Sequence, residues 1–206
     1  IATALWPDAT DAEAQAALRR HLHLLIRLLP PADADRPWVV ADRSTVQWNA
    51  CADYWLDVDE FERRCAASRE RTDEAPVGTT IDNLERAVAL HALPLLAEWS
   101  DEWVLDDRER LRRMCCEALR RLIASHATAG DARAAAATAA LLVDHDNLRE
   151  DAHRVLIGLR ALAGDPAGAL DALAACRRVL AAALDVEPMP ATLQLAEAVR
   201  ARASTD

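Results

Sequence analysis

The sequence contains no lysine; all 24 basic residues are arginine. Such one-sided usage reflects codon composition, so arginine abundance alone does not mark an interaction site. Glycine is scarce, with 5 residues in 206, and no glycine-rich phosphate loop and no GxSxG nucleophile turn is present. Aromatic residues make up 4% of the chain, most of them tryptophan. No apolar run approaches the roughly 18 residues of a membrane-spanning helix. The five cysteines are odd in number and contain no CxxC pair. That usage fits reduced thiols in a cytoplasmic protein and no disulfide framework. The formal net charge is −10, and residues 1–60 hold 5 arginines against 10 acidic residues. Bulk charge therefore argues against non-specific nucleic-acid binding, and any DNA contact has to come from a local basic face.

What is present is a repeat. Gly130-Asp131 and Gly164-Asp165 lie 34 residues apart, and Leu122/Leu156 and Ala135/Ala169 keep the same register. Thirty-four residues is the period of the tetratricopeptide repeat, a stacked helix-turn-helix whose pairs bury their apolar faces only against neighbours. Such modules hold partners and seldom do chemistry. Ile123 and Ile157 fill a position that is usually small in this repeat, which predicts altered packing there.

The rest of the chain also reads as mainly helical. Residues 1–5 end a short helix. Thr10 and Glu13 have capping-box spacing and open a long helix in which Ala14, Leu18, Leu22, Leu25 and Leu29 form one apolar stripe. Pro30-Pro31 closes it. Trp38–Val40 and Thr45–Trp48, joined by Asp42-Arg43-Ser44, predict a β-hairpin. Further helices are expected at 57–71, 79–92, 106–127, 131–143, 148–162, 166–184 and 190–203, with a flexible loop at 72–78. The first residue is Ile1, already in helix-like sequence, which suggests a piece of a longer protein.

On the long helix, Arg19, His23, Arg27 and Arg20 fall about 100°, 140°, 180° and 200° from Leu18. They share one face, opposite the apolar stripe. A helix with one packed face and one basic face, followed by a hairpin, is what a winged helix-turn-helix presents to duplex DNA. Arg43 would sit at the hairpin tip, near the backbone. Leu24 and Ile26 flank the basic stripe, and Glu13 lies on its side of the helix.

The stretch Leu5-Trp6-Pro7-Asp8, the helix Ala14–Leu29 and the hairpin Trp38–Trp48 resemble the second half of an OmpR-type winged helix. Asp57–Glu62, Leu95-Leu96, Trp99-Ser100-Asp101-Glu102-Trp103, Arg108–Leu111, the two Gly-Asp repeats and Val186-Glu187-Pro188 resemble the bacterial transcriptional activator domain. Together they are similar to the Streptomyces antibiotic regulatory protein family. That resemblance implies a partial winged-helix DNA-binding domain over 1–50 and a helical-repeat activator domain over 51–206. It implies a transcriptional regulator in which helix 11–29 is the recognition helix. Arg19, Arg20, His23 and Arg27 are its candidate DNA contacts and Arg43 the wing contact. The repeats would support dimerisation, signal input or RNA polymerase contact. The chain departs from the family where Leu24 and Ile26 replace frequent arginines, and where His91-Ala92-Leu93-Pro94 follows Leu90. The alternative is an interaction or sensor module that does not read DNA.

No enzyme, cofactor or metal site is expected. His21 and His23 are two apart and face differently, so they cannot chelate as an i, i+4 pair would. His145 and His153 flank an inter-repeat turn and are expected at the surface. Of the vicinal Cys115-Cys116, one is expected in the core and one part-exposed. Asp101-Glu102 and Asp106-Asp107 read as helix caps. Trp99 and Trp103 are expected to plug the junction between helix 79–92 and the repeats. Ala135, Ala139, His126 and Arg160 are candidates to line a ligand groove.

Overall fold

The computed structural model describes residues 1–33, 35–42, 44–69 and 77–203. The chain divides into two compact units, Ile1–Leu56 and Asp57–Asp206.

The first unit holds α1 (Ala2–Leu5), α2 (Asp11–Leu28) and a hairpin of β1 (Val39–Ala41) and β2 (Val46–Trp48). α2 opens with a complete capping box. The Thr10 side chain accepts from Glu13 N, and the Glu13 carboxylate accepts from Thr10 N at 3.0 Å. The hairpin is antiparallel, pairing Val39 with Trp48 and Ala41 with Val46. Its base is closed by Trp38, which stacks on Trp48 and donates its indole N–H to Pro30 O. The apolar stripe of α2 is covered unevenly. Ala14 is buried and Leu18, Leu22 and Leu29 are half-buried, whereas Leu25 is 43% exposed.

The second unit is helical among its described residues: α3 (Asp57–Arg69), α4 (Val77–Leu90), α5 (Glu102–Thr128), α6 (Ala132–His145), α7 (Glu150–Leu162), α8 (Pro166–Leu184) and α9 (Pro190–Ala203). Each helix packs on the next in sequence, and α9 also packs on α7. Leu84, Leu111, Leu119, Leu122, Leu142, Ile157 and Leu173 belong to one continuous core.

The 34-residue period is visible atom by atom. Gly130 and Gly164 have φ of 79° and 78°, the left-handed region that glycine enters without steric cost. In the first turn Gly130 N donates to Ala127 O and Asp131 N to His126 O. In the second, Gly164 N donates to Ala161 O and Asp165 N to Arg160 O. Each aspartate then caps the following helix, Asp131 accepting from Ala134 N and Asp165 from Gly168 N. Ala135 and Ala169, both fully buried, allow the close helix approach that the repeat requires. Ile123 and Ile157 are buried as well, so the core accommodates a larger side chain at that position.

Several boundaries differ from expectation: α4 ends at Leu90, α6 ends at His145 and α7 begins at Glu150, each two residues from the expected position. Val77 and Gly78 begin α4 instead of ending a loop; residues 70–76, where the loop and the end of helix 57–71 were expected, lie outside the described residues. α5 begins at Glu102, a turn earlier than expected, with Asp101 as N-cap. Its early start is set by Val104, which is fully buried on the same helical face as Leu111 and Cys115. Asp106-Asp107 therefore lie inside the helix, and Asp101 makes no side-chain capping bond.

Candidate functional site

Arg19, Arg20, His23 and Arg27 are all exposed on α2. Among the described residues none of the four has an ion-pair partner. His21 differs: its Nδ1 lies 2.8 Å from Ala17 O and its ring stacks on Trp6. The Glu13 carboxyl, held below its ordinary range by its bonds to Thr10, keeps its negative charge at the start of the basic face. Arg43 lies outside the described residues. The Asp42 carboxylate accepts from Ser44 N and Thr45 N, each at 2.7 Å, and from both hydroxyls. Those donors hold Asp42 well below the usual carboxylate range. Leu24 and Ile26 are exposed by 49% and 48%, and Leu28 by 84%.

In the second unit, three short motifs singled out in the sequence form one piece of structure. The connector between α4 and α5 turns through Leu96, whose φ is 44°. The Arg108 guanidinium, from α5, donates to the carbonyls of Leu95, Leu96 and Trp99. A fork of N–H donors suits this task better than an ammonium, because several carbonyls are satisfied from one plane. Trp99 therefore belongs to the connector and Trp103 to α5. Both face solvent, 56% and 38% exposed, instead of plugging the junction.

Beside the connector, a cavity of about 340 Å³ is lined by residues including His91, Pro94, Leu95, Leu105, Arg112 and His145. Arg112 is fixed by Glu109 and donates to His145 O at 3.1 Å. His91, just past α4, stacks between Phe61 and His145. Cys115 Sγ lies 3.8 Å from His145 Nε2. Burial pushes the Cys115 thiol up to about 12 and holds both imidazoles below their ordinary value.

Several expectations are corrected here. Cys115 and Cys116 are both buried, because α5 has packed neighbours on two sides. His153 is 1% exposed, its Nε2 lying 2.8 Å from Asn147 O, and His145 is half-buried. Ala135, Ala139 and His126 are core residues, and Arg160 donates to Gly168 O at 2.7 Å. The sequence missed the approach of His91, Cys115 and His145, since no spacing along one helix signals it. Among the described residues, no helix is long and apolar enough to cross a membrane.

The family profile of the bacterial transcriptional activator domain matches residues 56–200. A search of the curated proteins finds no match to the chain. Among solved structures, Mycobacterium tuberculosis EmbR in complex with a low-affinity phosphopeptide is similar, with a TM-score of 0.67 and 21% identity. That likeness covers 97% of this chain and 53% of the other, so this chain spans about half the length of the structure it matches. The C-terminal tetratricopeptide-repeat domain of a Plasmodium falciparum FK506-binding protein is 16% identical, with a TM-score of 0.48 over 74% of this chain and 95% of its own. The shared fold with EmbR is mainly helical, with repeat-like helix pairs. Because the family profile spans 56–200, from the start of α3 into α9, the chain belongs to the bacterial transcriptional activator domain family.

Proposed function

We propose that the chain is part of a transcriptional activator that reads duplex DNA through α2, with no catalytic role. Residues 1–50 act as the second half of a winged helix, and residues 51–206 as the helical-repeat activator domain. The observation that carries this reading is the exposed cationic face of α2. Arg19, Arg20, His23 and Arg27 share that face without ion-pair partners among the described residues, and a hairpin follows. Unpaired guanidiniums on one side of a helix suit bidentate bonds to guanine edges and charge contacts to phosphates. Arg43, between β1 and β2 in the sequence, supplies the backbone contact of the wing. The repeat unit serves dimerisation, signal input or contact with RNA polymerase in the cytoplasm.

The reading is tested by selecting duplex DNA from a random pool with the full-length protein and titrating the selected site against salt. Phosphate contacts from the arginines predict a log–log slope of about −0.9 per phosphate neutralised. Binding that ignores salt, or no selected site at all, contradicts it.

A second reading draws on the exposed Leu24, Ile26 and Leu28 and the net charge of −10. In it α2 packs on another domain or subunit and reads no DNA. A concentration-dependent dimer abolished by Leu24→Asp with Ile26→Asp favours this second reading. A monomer indifferent to those changes counts against it.

A further inference from the structure

His91, Cys115 and His145 come from three different places in the repeat unit: the residue after α4, the middle of α5 and the end of α6. One ligating atom from each lies within 4.8 Å of the other two. Sγ of Cys115 and Nε2 of His145 are 3.8 Å apart, and the two imidazole centroids are 5.4 Å apart. His91 Nδ1 is buried and has no hydrogen-bond partner. Structures rarely leave such an atom unsatisfied, and a bound ion is one way to complete it.

We propose that His91, Cys115 and His145 bind a zinc-class divalent transition-metal ion, with a fourth coordination position open to the adjacent cavity. Tetrahedral zinc, with bonds of about 2.0–2.1 Å to nitrogen and 2.3 Å to sulfur, sets its ligand atoms about 3.3–3.6 Å apart. The sulfur–nitrogen pair, at 3.8 Å, is already near that spacing, and separations of up to 4.8 Å close by at most about 1.5 Å to reach it. Two imidazoles and a thiolate are a borderline-soft donor set, suited to zinc, cobalt or nickel and unsuited to magnesium or calcium. Coordination displaces the Cys115 proton to solvent and leaves a thiolate on the metal. The cavity of about 340 Å³ borders both histidines and has room for a water as fourth ligand. Bound metal ties the connector after α4 to α5 and α6, which stiffens the segment that Arg108 also holds. This holds whether or not α2 reads DNA.

The test is a titration of the reduced, metal-free chain with Co²⁺, read by visible absorption and by sulfur-to-cobalt charge transfer in the near ultraviolet. One equivalent should bind in four-coordinate form with a thiolate band, and Zn²⁺ should displace it. Cys115→Ala and His145→Gln should each weaken binding by more than the 10–100-fold typical of losing a ligand's hydrogen-bonding neighbour. Cys116→Ala should leave it unchanged. Circular dichroism checks the fold of each variant. If Cys115→Ala fails to fold, His145→Gln, at the half-buried end of α6, decides. Absence of a thiolate–cobalt band, or a band that survives Cys115→Ala or His145→Gln, overturns the proposal.

Discussion

Replacing Gly164 by alanine should destabilise the repeat unit by about 1 kcal/mol, through backbone conformation alone. An L-residue held in the left-handed region costs about 1–2 kcal/mol. Alanine offsets about 0.4–1 kcal/mol of this by restricting the unfolded chain. No steric clash contributes, because a β-carbon at Gly164 meets nothing within 4 Å. Gly130 has the same φ to within a degree and the same open surroundings, so Gly130→Ala should cost the same. The two turns share no hydrogen-bond partner, and the double variant should lose about 2 kcal/mol by simple addition. Urea unfolding followed by circular dichroism measures these values. The midpoint should fall with an unchanged m-value, and Tm should drop by about 2–4 °C per substitution. Asparagine enters the left-handed region more readily than alanine, so Gly164→Asn should cost less. The reasoning is refuted if Gly164→Ala is neutral, if Gly164→Asn is as damaging as Gly164→Ala, or if the two alanine variants differ several-fold.

Further predictions follow from side chains that hold the unit together. Arg108→Ala releases three carbonyls of the α4–α5 connector, and limited proteolysis should cleave within residues 91–100 several times faster than in the parent. The Glu150 carboxylate accepts from Met189 N at 2.7 Å and from the buried Thr192 hydroxyl, anchoring the start of α9. Glu150→Ala should cost about 0.5–2 kcal/mol, the range of a lost cap, with amide exchange rising first in α9. Arginine partners hold Glu60 and Glu109 below their ordinary value of 4.5, and Arg149 holds Asp151 below 3.8. Folded values below unfolded values mean that this stabilisation is complete above about pH 5 and is lost as pH falls through the folded values. Denaturant midpoints should therefore fall between pH 5 and pH 3, and a flat profile there contradicts the ion pairs.

Much of the repeat unit was legible because its signals are local. A 34-residue period, a glycine that must turn left-handed and an aspartate that caps the next helix all act within a few residues of one another. The capping box at Thr10–Glu13 and the hairpin from Val39 to Trp48 are local in the same sense. The start of α5 was misplaced because acidic pairs mark a helix N-terminus only statistically. Here the packing of Val104 carried the helix back to Glu102. Trp99 and Trp103 misled because a plug needs both on one packed face, whereas Trp99 lies in the connector and Trp103 on α5, both exposed. His153 and the His91–Cys115–His145 cluster were invisible for a different reason. Their neighbours come from turns and helices distant in sequence, and helical periodicity carries no record of which faces meet. The basic face of α2 was legible from helical geometry, whereas Arg43 lies outside the described residues.

The most direct test of the DNA-reading account is fluorescence anisotropy of the selected duplex, with the full-length protein beside its Arg19→Ala/Arg20→Ala/Arg27→Ala variant. The account predicts tight, salt-sensitive binding by the parent and its loss in the triple variant, with the helical circular dichroism signal unchanged. Equal binding by the two proteins would contradict it and remove α2 as the reading element.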